Sequence, residues 1–235
     1  MSTMTVLQIV QSVLSSIDGD EVSSISDTAE SLQVADVVRD CYFYFINDRD
    51  WPFQKGLSNM TGLGDTSNPT KMRIPTGMDS IDWVKYDKKD VTFLSPKAFK
   101  DLIDARTEST GVVNSSGYVI NDDPKYWTTY DDDYVWFDGY DSATDSTLQQ
   151  SKCEVYGEMS PTFTMSDSYV PDMPAKMFPT FLAEVKAEAS FQIRQMQNAR
   201  QERKAKRGRD KMQKDARKAV EGQSLYNTSV NFGRK

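Results

Sequence analysis

Helical periodicity at the two ends of the chain, with short β-type runs between them, is the pattern that most constrains this fold. Near the start, Val6, Val10, Val13 and Ile17 recur at helical spacing with Leu7 and Leu14 beside them, which predicts an amphipathic helix from Thr5 to Ile17. Asp18-Gly19-Asp20 ends it. Asp27 with Glu30 three residues on has the form of a capping box, so a second helix is expected to reach about Asp48, with Val34, Val37, Val38, Cys41 and Phe45 on one face. The run Tyr42-Phe43-Tyr44-Phe45 makes its end apolar nearly all round, which requires burial in the core or on a partner. Far along the chain the same period returns in Phe178, Leu182, Val185, Ala189, Ile193 and Met196. Two helical segments separated by more than a hundred residues must pack together or stay unburied.

The intervening stretch reads differently. Residues from Trp51 to Thr70 are rich in Gly, Asn, Ser and Pro and are expected to be loop. Short strands are then predicted at Lys71–Ile74, Ser80–Tyr86, Val91–Leu94, Tyr118–Ile120, Tyr126–Tyr130, Tyr134–Phe137 and Cys153–Tyr156. Ser95-Pro96 opens a short helix through Ile103. The expected fold class is α+β: an α-helical bundle body formed by 1–50 and 174–200, an inserted small antiparallel β domain over 71–160 with the helix at 96–103, and an extended C-terminal helix and tail over 201–235.

That last segment has its own character. From Gln197 to Lys235 there are 12 Lys or Arg against 4 Asp or Glu, which gives +8, so the preceding residues carry −15 of the total −7. The stretch Gln197 to Val220 is made of good helix formers without an apolar stripe and is expected to break at Gly208. Leu225, Tyr226, Val230 and Phe232 follow in a Ser/Asn/Thr/Gly context without regular period. Four large apolar residues in a segment too short to fold alone fit ordering on a partner surface.

Composition removes much enzymology. The chain has no histidine, so Ser-His-Asp and Cys-His nucleophile systems and imidazole metal sites are absent. Its two cysteines, Cys41 and Cys153, lack metal-ligand spacing and read as buried free thiols. Gly62-Leu63-Gly64 has no phosphate-loop frame. No stretch is long and apolar enough for a membrane span, and MSTMTVLQIVQ lacks the basic start of a signal peptide, so a cytoplasmic origin is expected. No cofactor is implied.

One cluster invites chemistry. Asp122, Asp123, Asp131, Asp132, Asp133, Asp138, Asp141 and Asp145 are interleaved with Tyr126, Trp127, Tyr130, Tyr134, Trp136, Phe137 and Tyr140. Paired carboxylates across a cleft would suit a glycosidase, an aromatic face would bind sugar, and Asp131-x-Asp133 fails the calcium-loop pattern at its third ligand, Val135. The plainer reading is a hairpin with turn aspartates and an aromatic core side. Arg200 to Lys218 could neutralise phosphates, but Glu202, Asp210 and Asp215 interrupt it and no aromatic is interleaved for base stacking.

Three blocks carry a family resemblance: CYFYFINDRDWPF, RIPTGMDSIDWVKYD, and the long run from Lys125 to Ala189, KYWTTYDDDYVWFDGYDSATDSTLQQSKCEVYGEMSPTFTMSDSYVPDMPAKMFPTFLAEVKAEA. They resemble the head-to-tail adaptors of short-tailed bacteriophages, also called tail tubular protein A or gatekeeper, over most of the chain to about Arg200. The resemblance implies a structural virion protein without catalysis. It implies a ring, of twelve subunits in this family, made in the host cytoplasm and placed in the virion neck between the portal protein and the tail nozzle protein. Double-stranded DNA would pass through its lumen without specific binding, and no membrane is involved. In such adaptors the helical part forms the ring wall and the C-terminal arm docks on the portal. Leu225, Tyr226, Val230 and Phe232 are thus the expected portal-docking tail, and Tyr42, Phe43, Phe45, Trp51, Trp127 and Trp136 the subunit-contact candidates. The rivals are a carbohydrate-binding tail component and a basic DNA-binding packaging factor.

Overall fold

The computed structural model describes residues 3–49, 51–107 and 116–227, with 107 and 216–227 in backbone alone. The chain divides into two compact units, one formed by Met1–Phe53 with Pro161–Lys235 and the other by Gln54–Ser160.

The first unit holds α1 (Val6–Leu14), α2 (Ala29–Asn47), α4 (Phe178–Arg194) and α5 (Ala199–Asn227). Thr5 caps α1: its hydroxyl accepts from Gln8 N at 3.3 Å while Gln8 answers on Thr5 N at 3.0 Å. Helix α2 is capped by Thr28 with Ser31 instead of the expected Asp27 and Glu30. Asp27 is otherwise engaged, accepting from Ser23 N at 2.6 Å and Ser24 N at 2.8 Å, and these bonds hold its carboxyl below the usual range. The core joins Val6, Ile9, Val10 and Val13 of α1, Val34, Val38, Tyr42 and Phe45 of α2, and Phe178, Phe181, Val185 and Ala189 of α4. Full burial of such side chains is worth about 1.5–3 kcal/mol each, which is why these helices persist although α1 alone is too short to be stable in water.

The second unit contains α3 (Pro96–Thr107) and an eight-stranded sheet: β1 (Lys55–Ser58), β2 (Thr61–Gly62), β3 (Lys71–Arg73), β4 (Met78–Tyr86), β5 (Lys89–Phe93), β6 (Tyr126–Thr129), β7 (Tyr134–Phe137) and β8 (Cys153–Met159). The spatial order is β1-β8-β4-β5-β6-β7-β3-β2. All neighbours are antiparallel except β5 and β6, which pair parallel through Thr92↔Tyr126 and Phe93↔Trp127. A parallel pair needs a crossover. It contains α3, which buries Phe99 and Ile103.

The expected fold class is corrected here. A helical bundle body with a small antiparallel domain does not describe the chain: among the described residues, five helices accompany an eight-stranded mixed sheet curled into a half-barrel, a sheet-rich α+β fold. The stretch read as loop supplies β1 and β2, and Tyr118–Ile120 forms only an isolated bridge, Val119↔Gly139. No described helix is long and apolar enough to cross a membrane.

Candidate docking surface

The C-terminal helix α5 is positioned by one narrow face. Ala205 and Met212 are buried, and Gly208 and Arg209 lie between them at the spacing of helix neighbours. Gly208 was expected to break this helix; instead α5 is continuous, and the glycine packs directly on Thr180 of α4. A Cβ built at Gly208 would lie 2.6 Å from Thr180 Cγ2 and closer still to its Oγ1. The missing side chain is the condition of contact.

Next to it, Arg209 ties three helices together. Its Nε donates to Glu184 Oε2 at 3.1 Å and its Nη2 to the other carboxylate oxygen, while Nη1 stands 3.9 Å from Asp48. The guanidinium lies over the Tyr44 and Phe45 rings at 5.2 and 5.8 Å. Burial pushes the Glu184 carboxyl above its ordinary range, and Arg209 pulls against that shift.

The outward side of α5 is basic. Arg200, Arg203, Lys204, Arg207, Lys211 and Lys214 are exposed, and at about 100° per residue they fall within one arc of about 100° whose edge at Lys204 lies about 40° from Gly208; Lys206 is exposed outside the arc. Glu202, Asp210 and Asp215 lie outside the arc. Its length is about 21 Å at 1.5 Å per residue. None of the six takes part in an ion pair among the described residues, where the ion pairs of α5 are those of Arg209. Beside the arc, burial lowers the pKa of Lys186 on α4 first, and Lys204 lowers it further. Along one flank of α5 runs an apolar groove of about 580 Å³, lined by Trp51, Phe53, Met177 and Met212, with Lys176 and Asp215 also in its lining.

The subunit-contact candidates fall into two groups. Tyr42, Phe45, Trp51 and Trp127 are buried within a single chain, and this corrects their assignment to a neighbour. Phe45 stacks on Trp51 at 6.1 Å, and Trp127 meets Phe93 edge-on at 4.8 Å. Phe43 and Trp136 are half-buried; Phe43 packs on Tyr42 and Phe163, and Trp136 lies under Lys71 Nζ at 4.8 Å. Of the tail, Leu225 and Tyr226 lie in the backbone of α5, and Val230 and Phe232 lie outside the described residues.

Other side chains hold the exposed aromatic and aliphatic surface. Tyr44 is 64% exposed. In the β unit Trp83 stacks on Tyr156 at 5.4 Å, and Leu57 opposes Tyr156 across β1 and β8, so three strands present one apolar row. Period-two alternation through Trp83-Val84-Lys85-Tyr86, with Val84 and Tyr86 buried, places Trp83 on the outer face with Lys85.

The aspartates are mostly structural. Asp138 is buried and accepts from Lys125 N and Tyr126 N at 2.8 Å and from Arg106 Nη1 at 2.9 Å. Asp131 caps the β6–β7 turn through Asp133 N and Tyr134 N, Asp141 binds Ala143 N and Thr144, and Asp145 pairs with Lys152. Asp79, Asp82, Asp131 and Asp132 line a cleft of about 530 Å³ with Ile74, Ile81 and Phe93. Among the described residues no group of three or more His, Cys, Asp or Glu is placed to hold a metal ion. Both thiols are buried, and burial raises them, Cys153 to about 12 and Cys41 further.

A scan of protein-family models finds no match to the chain, and a search of curated proteins finds no significant relative.

Proposed function

We propose that this chain is a structural subunit of a short-tailed phage virion, a head-to-tail adaptor that assembles as a ring of about twelve copies, as the resemblance implies, and joins the portal to the tail nozzle. The observation that carries the reading is α5. Its inner face is anchored on α4 through Gly208 and Arg209, yet its backbone runs on to Asn227 and delivers Leu225 and Tyr226, ahead of Val230 and Phe232, beyond that anchorage. A helical arm that carries apolar residues past its anchorage suits docking on a preformed partner surface. DNA passes through the lumen without specific contact in this reading, and no covalent chemistry is involved. A glycan-binding role loses support because Trp127, the central aromatic of that cluster, is core.

Electron microscopy of the purified chain mixed with portal particles tests the proposal, with and without residues 223–235. Rings are expected on portals with the full chain and none with the truncated one. Portals left bare by the full chain would overturn the adaptor assignment. Equal ring formation by the truncated chain would overturn the docking role of the tail alone.

A further inference from the structure

A ring built from identical subunits needs two different, complementary patches on each chain, because a head-to-tail contact joins one surface to another and closes when the rotation closes. This chain carries such a pair in its charges. The first is the outward arc of α5, six cations over about 21 Å without an ion pair among the described residues. The second is the β unit, which over residues 54–160 has 18 Asp or Glu against 11 Lys or Arg. Its acidity includes a formed cleft rather than scattered groups alone. Asp79, Asp82, Asp131 and Asp132 converge there on exposed Phe93 and on Ile74 and Ile81. Asp82 is paired with Lys55 at 2.7 Å, whereas Asp79 accepts from Ser160 and Asp131 from backbone amides, so neither of these carboxylates has a cationic partner among the described residues.

We infer that the basic arc of α5 docks on the acidic cleft of the β unit of a second copy, and that this contact, repeated, is the one that closes the ring. The inference rests on the ring reading above and deepens it by naming the two faces. The chemistry matches on both sides. Arginine and lysine stems are apolar and their heads are cationic, so they can cover Phe93 and Ile81 while reaching the carboxylates, and a guanidinium over an exposed ring adds cation–π attraction. Duplex DNA is the other polyanion that such an arc could meet. A wide phosphate surface would also press on Asp210 and Asp215 at the two borders of the arc, whereas a narrow cleft need meet the cations alone; the second copy is therefore favoured.

Two charge reversals on full-length chains, checked for intact fold by circular dichroism, make the test. One chain carries Arg203→Glu with Arg207→Glu; the other carries Asp79→Lys with Asp132→Lys. Self-association is read by sedimentation at low ionic strength and by ring formation on portals. Each variant alone should lose association by about tenfold or more, since like charges then face each other. An equimolar mixture should regain it, because every arc then finds a cleft of opposite sign. Failure of the mixture to recover, or unchanged assembly of either variant alone, overturns the inference and leaves the ring intact as a reading. An arc-reversed chain that assembles normally but no longer retains duplex DNA assigns the arc to nucleic acid instead. A wild-type chain that stays monomeric at low salt and leaves portals bare removes both the ring and this contact.

Discussion

Substituting Gly208 by alanine should destabilise the protein, against the rule for helix interiors. In an exposed helix, Gly→Ala gains about 1 kcal/mol by helix propensity. Here the new methyl would sit 2.6 Å from Thr180 Cγ2 and 2.9 Å from Thr180 Cβ, with Oγ1 nearer still. Thr180 is buried and lies in the first turn of α4, so it can withdraw only if the helices part. Overpacking of this kind costs about 1–3 kcal/mol, and α5 would also loosen its hold at Arg209. After the propensity gain is set against the clash, the net loss should be up to about 2 kcal/mol, or up to about 1 M in the urea midpoint at an ordinary slope. Helix circular dichroism at 222 nm follows the transition. A second variant separates the terms: in a Thr180→Ala background the obstructing atoms are gone, and Gly208→Ala should then stabilise by about 1 kcal/mol. If Gly208→Ala raises the midpoint in the wild-type background, the close approach of α5 to α4 is wrong.

Two further variants probe the buried charges. Asp138→Ala should cost the β unit about 3 kcal/mol or more, because two backbone amides and Arg106 lose their acceptor; urea unfolding followed by tryptophan fluorescence reads it, and a loss below about 1 kcal/mol refutes it. Arg209→Met should cost about 2–3 kcal/mol at neutral pH, less than a fully buried pair because the Arg209 and Glu184 side chains keep 23% and 17% exposure. The pH response gives the sign. Glu184 already has a raised pKa in the fold and loses its cation in the variant, so the folded state binds a proton more tightly than the unfolded chain. Stability should therefore recover in part as pH falls through the raised folded value toward the ordinary carboxylate range. The double variant Arg209→Met, Glu184→Gln should lack that recovery.

What the residues alone revealed, and what they hid, follows from where each structure draws its stability. Helices α1, α2 and α4 were legible because their apolar period is local. The cap of α2 was misplaced by one residue because Asp27 and Thr28 are both good caps, and only the loop shows Asp27 bound to Ser23 and Ser24. Strands β1 and β2 were hidden: Lys55–Ser58 has no β-branched residue, and its ladder partner β8 lies about a hundred residues away. The parallel β5–β6 pair was hidden as well, since neighbouring short strands suggest hairpins by default. The turn between β4 and β5 has positive φ at Asp87 and Lys88, a two-residue connection usually announced by Asn-Gly. For the candidate site, the basic excess was visible but the gathering of six of its cations in one arc needed an unbroken helix through Gly208. The aromatic candidates misled because sequence cannot distinguish a ring buried in its own core from one awaiting a neighbour.

The pairing of β1 with β8 has a consequence for how such a chain can be remodelled. Lys55 faces Glu158 and Gly56 faces Gly157, so the β unit begins and ends on adjoining rungs of one ladder, where facing Cα atoms stand about 5 Å apart. Residues 54–160 therefore form a cassette with a narrow mouth. Their removal would leave two chain ends that a turn of a few residues can bridge, and a different cassette of the same mouth width could occupy the position. The helical unit could then remain unaltered while the inserted unit changes in size and in every surface except the acidic cleft, so that two parts of one chain could change at different rates.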